Sequence, residues 1–253
     1  MQVNVQGPNF AGANPQLVAD LVIANRILFT EQVVDAFGHV SVRHDQNQGY
    51  FLLSRSLAPA LVTREDILCF DLKGDVQNGM GAAVYVERFI HSEIYARYPS
   101  VNAVVHSHSP AIIPFCSAKV PLRPLFHMSS FLGNGAPVFE IRETAGDRTD
   151  MLIRTRELGS ALAAKLAGSS VILMRGHGNV VVGQSIRQAV FRSIYAQLNA
   201  RLQIDALGLG RGEITYLNEF EAATADATNN GALALDRAWE LWSARALGSN
   251  DAP

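Results

Sequence analysis

The chain has 253 residues, 48% hydrophobic and 17% charged, and its 21 basic and 23 acidic side chains leave a formal net charge of −2. That length suffices for a full core, and so even a balance gives no electrostatic reason to expect nucleic acid or an anionic membrane surface as a partner. No window reaches the ~18 apolar residues of a membrane span, the N-terminus lacks a basic region followed by an apolar one, and the two cysteines, Cys69 and Cys116, lie far apart in apolar segments without metal-type spacing. The expectation is a cytoplasmic protein with two buried free thiols.

Residues 1–14, rich in Gly, Asn and Pro, read as an N-terminal arm, and 15–253 as one domain. Pro15 suits the first turn of a helix over 15–29, and a short second helix is predicted over 30–37, ended by Gly38. HVSVRH alternates and GYFLLS follows the polar turn DQNQ, which predicts a β-hairpin. DILCFDLKGDV reads as a strand closed by a Lys-Gly turn. The break NGMGAA leads into a helix at 84–97, where Val86, Phe89, Ile90, Ile94 and Tyr95 share an apolar face. A strand at 102–107 precedes a short helix with Ser109 as N-cap and Pro110 at its first position. After a loop over 120–136 come a strand at 137–141, an amphipathic helix at 150–166, strands at 171–174 and 179–183, and long helices at 184–206 and 218–246. Helices alternate with strands without repeat or linker, so one α/β domain is expected, its mixed or antiparallel sheet covered by helices.

The chemistry begins at AVVHSHSPAI, where His106 and His108 end an apolar strand. Residues i and i+2 of a strand project from one face, and two imidazoles about 6–7 Å apart at the backbone can share one metal ion. Two buried imidazoles side by side are costly unless something binds both. His177, in MRGHGNVVVG, follows another apolar strand between two glycines that let the backbone turn sharply. Three histidines at strand ends would leave positions open for an oxygen ligand, water and substrate, as catalytic sites do. The preceding helix offers Glu87, with His91 one turn later. A carboxyl group beside a cation in a partly dry cleft can ligate it or carry a proton.

The series GHVSVR, VERFIHSEIYARYP, NAVVHSHSPA and RGHGNVVVG, over roughly residues 15–205, resembles the class II aldolase/adducin family. The resemblance implies a three-layer αβα fold around a mainly antiparallel sheet, assembled as a homotetramer with sites at subunit interfaces, the C-terminal helices of 218–246 packing on their own domain or on a neighbour. It implies His106, His108 and His177 as ligands of a divalent metal and Glu87 as the acid/base carboxylate that approaches it. Such ligands suit Mn²⁺, Fe²⁺, Co²⁺ and Zn²⁺ alike.

The phosphate-holding segments of the sugar-phosphate aldolases are altered here. His39 stands where that pattern has Asn, SRSLAPA replaces a Ser-Gly turn, and AVYVE lacks two serines before the Glu, which argues against a phosphorylated substrate. In their place are His39, Arg43 and Arg55, the last flanked by Ser54 and Ser56, groups suited to a carboxylate. This variant resembles the branch of dihydroxyphthalate and hydroxypyridine dicarboxylate decarboxylases. The resemblance implies non-oxidative, metal-dependent decarboxylation of a small hydroxylated aromatic acid, with Glu87 and His91 handling protons and Arg55 anchoring a second carboxylate. An aldolase acting on an unphosphorylated hydroxy-keto acid and a non-catalytic adducin-like scaffold are the alternatives.

Overall fold

The computed structural model describes residues 12–79, 81–210 and 213–248; most of the expected arm, residues 1–11, lies outside the described residues. Seven strands form one sheet: β1 His39–Arg43, β2 Tyr50–Ser54, β3 Ile67–Asp71, β4 Ala103–Ser107, β5 Val138–Phe139, β6 Val171–Met174 and β7 Gly178–Gly183. Their order is β3-β2-β1-β4-β7-β6-β5. Every neighbouring pair is antiparallel except β5 and β6.

Both faces of this sheet are buried, because both sets of alternating side chains are apolar. Val40, Val42, Leu52, Val105 and Val181 pack with residues of α1 (Pro15–Thr30), α6 (Ile186–Leu209) and α8 (Ala232–Ala246). Phe51, Leu53, Val104, Val180 and Val182 pack with Ile90 and Ile94 of α2 (Arg88–Arg97) and Leu162 and Leu166 of α5 (Arg156–Leu166). Each fully buried side chain of this size contributes about 1.5–3 kcal/mol of transfer free energy, and the result is an αβα sandwich. Trp239 and Trp242 are buried in the first layer, where α8 rests on α1 and α6. Among the described residues no helix is long and apolar enough to cross a membrane.

Several element ends differ from expectation, each for a local reason. Residues 31–37 are not helical: Gln32 has φ 59, and the Val33 and Val34 N–H groups both return to the Leu28 carbonyl, ending α1 there. α2 begins at Arg88 rather than 84, since the Ala83 carbonyl accepts from Ser56 N and the Tyr85 hydroxyl is tied to Leu57, so this segment runs alongside 55–57. Ser109 does not cap a helix. Its hydroxyl donates to Gln197 Oε1, and α3 (Ile113–Ser117) starts later. The strand expected over 137–141 is confined to Val138–Phe139, and the short α4 (Arg142–Ala145) follows it. α5 starts at Arg156 after its cap Thr155, which leaves 150–154 free to cross the site. The long helix expected over 218–246 is two, α7 (Glu219–Asn229) and α8, broken at Asn230 and Gly231.

Candidate metal centre

The register of three strands assembles the site. His106 on β4 sits opposite Val180 of β7 on one side and opposite His39 of β1 on the other. His108 lies just past the end of β4, and His177 occupies the turn from β6 to β7. Gly176, with φ 63, makes that turn, and the His177 N–H closes it on the Met174 carbonyl. Glu87 is at the N-cap position of α2, where the positive end of the helix favours a carboxylate.

These four residues converge, with one ligand atom from each within 4.8 Å of the others. His108 Nε2 lies 3.1 Å from His106 Nε2 and 3.0 Å from His177 Nε2. Glu87 Oε2 lies 3.6 Å from His106 Nε2 and 3.5 Å from His177 Nε2. The remaining atoms set the protonation pattern. His106 Nδ1 is 3.1 Å from the Asn179 carbonyl and His177 Nδ1 is 2.8 Å from the Met151 carbonyl. A carbonyl only accepts, so both Nδ1 atoms carry the hydrogen and both Nε2 atoms present lone pairs. Glu87 Oε1 accepts from the buried Ile153 N–H at 2.9 Å, which aims Oε2 at the histidines.

Lone pairs of imidazoles and a carboxylate oxygen gathered this closely repel unless a cation lies among them, and a carbonyl-oriented imidazole is the usual form of a metal ligand. The donor set therefore fits a divalent ion. Burial opposes ionisation of Glu87, but the neighbouring imidazoles of His106 and His177 outweigh this and hold its carboxyl well below the usual range. His108 is pushed down to about 4 by burial and by His106 and His177, so it is neutral and able to ligate near pH 7.

A cavity of about 500 Å³ opens beside Glu87 and His108. Its wall is largely apolar, with Ala36, Phe37, Leu57, Ala58, Val86 and Leu152, and its polar groups include His39, Ser56 and Tyr85. The Tyr85 ring packs 4.5 Å from His39, and its hydroxyl meets Leu57 and Ser54.

The sequence-predicted substrate groups are thus only partly brought together. His39 and Ser56 line the cavity, and Ser54 stands behind Tyr85. Arg55 is outside the lining; its Nε donates to Asp66 at 2.6 Å. Arg43 is buried and spends its guanidinium on the main-chain carbonyls of Gln48, Tyr95, Tyr98 and Val101, remote from the cavity wall. His91 does not join Glu87: its ring is fully buried against His39 and Ser41. Glu93, elsewhere on α2, pairs with Arg156. Tyr85 and Leu152 were not singled out by sequence. Nothing in their spacing marks them, since they reach the cavity from irregular segments.

Comparison with known proteins identifies the chain's relatives. Residues 19–204 match the class II aldolase and adducin N-terminal domain. "Decarboxylase tropJ" of Talaromyces stipitatus is 39% identical over 238 residues, spanning 85% of this chain and 88% of the relative. A "3,4-dihydroxyphthalate decarboxylase" of Arthrobacter keyseri is 28% identical over 207 residues, 75% of this chain and 78% of that one. Among solved structures, L-fuculose 1-phosphate aldolase of Glaciozyma antarctica PI12 superposes with a TM-score of 0.72 at 25% identity, covering 92% of this chain and 89% of its own. The domain match over most of its length and the 39% identical relative place this chain in the class II aldolase and adducin family.

Proposed function

We propose that the chain is a divalent-metal-dependent lyase that removes CO₂ from a hydroxylated aromatic carboxylate. The observation that carries this reading is the convergence of His106, His108, His177 and Glu87 at the edge of an apolar cavity. Relatives named as decarboxylases support the choice of bond, and the apolar wall suits a planar ring better than a sugar phosphate.

A cation held by His106, His108, His177 and Glu87 supplies Lewis acidity, the electron sink that departure of CO₂ from an aromatic carbon requires. The chain's own groups do the rest. Phe37, Leu57, Val86 and Leu152 offer an apolar wall against which the ring lies. Glu87, held ionised, accepts the phenolic proton of the incoming acid and returns a proton to the ring carbon after CO₂ leaves. His39 and Ser56 offer polar contacts for oxygens on the ring. On the same reading the protein assembles as a homo-oligomer, a tetramer with sites at subunit interfaces, and a second carboxylate of a larger substrate meets its cation there.

The test is incubation of metal-loaded protein with 3,4-dihydroxyphthalate, hydroxypyridine dicarboxylates and o-hydroxybenzoates, with release of CO₂ measured directly. Absence of stoichiometric metal, or carbonyl products without CO₂ from a hydroxy-keto acid, would overturn the reading.

A further inference from the structure

Four buried side chains run in single file from the cavity into the core. His39 Nδ1 lies 2.7 Å from His91 Nε2, His91 Nδ1 lies 2.6 Å from Ser41 Oγ, and Ser41 Oγ lies 2.8 Å from Tyr95 Oη. His91 and Ser41 are 0% exposed, Tyr95 1% and His39 4%. Two periodicities place them: His39 and Ser41 alternate on the α2-facing side of β1, and His91 and Tyr95 are one turn apart on α2. Of the four, His39 alone lines the cavity, and among the described residues no protein group bonds its Nε2.

Counting hydrogens gives the file a direction. Among the described residues Ser41 Oγ is the hydrogen-bond partner of the fully buried Tyr95 hydroxyl, and the Tyr95 hydrogen would be left unpaired if Ser41 were the donor, so it goes to Ser41 Oγ. The Ser41 hydrogen then goes to His91 Nδ1. His91, with Nδ1 accepting, carries its hydrogen on Nε2 and gives it to His39 Nδ1. His39 is left with its own hydrogen on Nε2, the nitrogen with no partner in the chain. Burial pushes His91 down to about 3, so the file transmits a tautomer and not a charge.

We propose that His39 is the hydrogen-bond donor to a substrate oxygen in this cavity, through Nε2–H, and that His91, Ser41 and Tyr95 are positioning residues that hold it in that tautomer. The proposal rests on the reading that the substrate is a hydroxyaromatic carboxylate, whose oxygens accept. Next to a divalent cation a neutral donor has an advantage over a charged one, since it binds an anionic oxygen without repelling the metal. The opposite tautomer would turn a lone pair toward that oxygen. Buried, fully bonded networks of this kind fix one arrangement because any partner left unpaired is expensive.

The experiment uses ¹⁵N-histidine-labelled, Zn²⁺-loaded protein. Long-range ¹H–¹⁵N correlation spectra are expected to show His39 with Nε2 protonated and Nδ1 bare, and salicylate is expected to shift the His39 Nε2 resonance. Ser41→Ala and Tyr95→Phe are expected to keep the metal, mix the His39 tautomers and lower kcat/KM about tenfold, with Ser41→Ala the larger effect. A wild-type His39 protonated on Nδ1, an Nε2 resonance unmoved by saturating salicylate, or unchanged tautomers in both variants would overturn the proposal. Because the spectra need no turnover, the tautomer as stated with no CO₂ from any acid would sink the decarboxylase reading while supporting the His39 assignment.

Discussion

The Ser107 carbonyl stands where a side chain on Gly178 would begin: a Cβ there would lie 2.2 Å from that oxygen. This contact lets β7 start against the end of β4, and so brings His177 beside His108. Gly178→Ala must push the two strands apart, because the obstacle is main chain and cannot rotate away. The expected outcome is a loss of about 1–3 kcal/mol, the usual cost of overpacking, with metal affinity lowered at least about tenfold as the Nε2 atoms separate. Chemical denaturation and metal analysis of the same preparation check both halves.

Glu87 performs two tasks through two oxygens, and Glu87→Gln separates them. The introduced amide keeps a carbonyl oxygen to accept from the Ile153 N–H, so the fold and the three histidines stay in place. What is lost is the negative charge near His106 and His177 and the ability to carry a proton. Metal affinity is expected to fall about 10–100-fold and kcat about 10²–10⁴-fold at saturating metal. Replacement of His108 by Ala, in contrast, is expected to remove the metal itself. Equilibrium dialysis and CO₂ release at graded metal concentrations distinguish the two.

How far the site was legible follows from where its residues sit. His106 and His108 were readable because strand period and burial put two imidazoles together, and His177 because its glycine neighbours announce a tight turn. The sheet's two-sided burial was foreshadowed by continuous apolar runs such as VILM and VVV. Arg55 and Arg43 looked like carboxylate anchors by residue type alone. Sequence could not show that Asp66, eleven residues on, claims one, or that four main-chain carbonyls claim the other. Ser41 carried a signal, since it alternates with His39 on β1, but its meaning depends on α2 crossing above it. That is a tertiary fact with no local trace, as is the arrival of Leu152 from the segment before α5.

The cavity wall and the nearby arginine make opposite predictions. Arg55 is partly exposed and paired with Asp66, and such pairs contribute about 0–1 kcal/mol. Arg55→Ala is therefore expected to lower stability by no more than about 1 kcal/mol, and, because Arg55 is outside the cavity lining, to change kcat/KM less than about threefold. Leu152 lines the cavity, and Leu152→Glu places an uncompensated carboxylate where an anionic substrate must sit, so KM is expected to rise by about tenfold or more. Steady-state kinetics on the same acid ranks the two, and a larger effect from Arg55 would move the substrate to another face of β2.

Acid is expected to destabilise the metal-free protein through His91. Its folded pKa of about 3 lies below the ordinary value of 6.5, because burial and His106 oppose its charge. As pH falls below 6.5 the unfolded chain takes up a proton at this residue and the folded chain does not, so stability drops down to about pH 3. The slope from one such group is about 1.4 kcal/mol per pH unit. Neighbouring groups do not cancel it between pH 6 and 5. Glu87 is ionised in both states there, its folded pKa being depressed below an unfolded value near 4.5. His177, whose pKa is raised because Glu87 outweighs its burial, is protonated in both states and loses its contribution only as pH rises through that raised value. His108, lowered to about 4, and His39, lowered by burial and by His91, add to the slope with the same sign. Urea denaturation of metal-stripped protein at pH 7, 6 and 5 should show the decline, and His91→Gln, which cannot titrate, should make it shallower. An unaltered slope in that variant would assign the acid sensitivity to His108 and His39 instead.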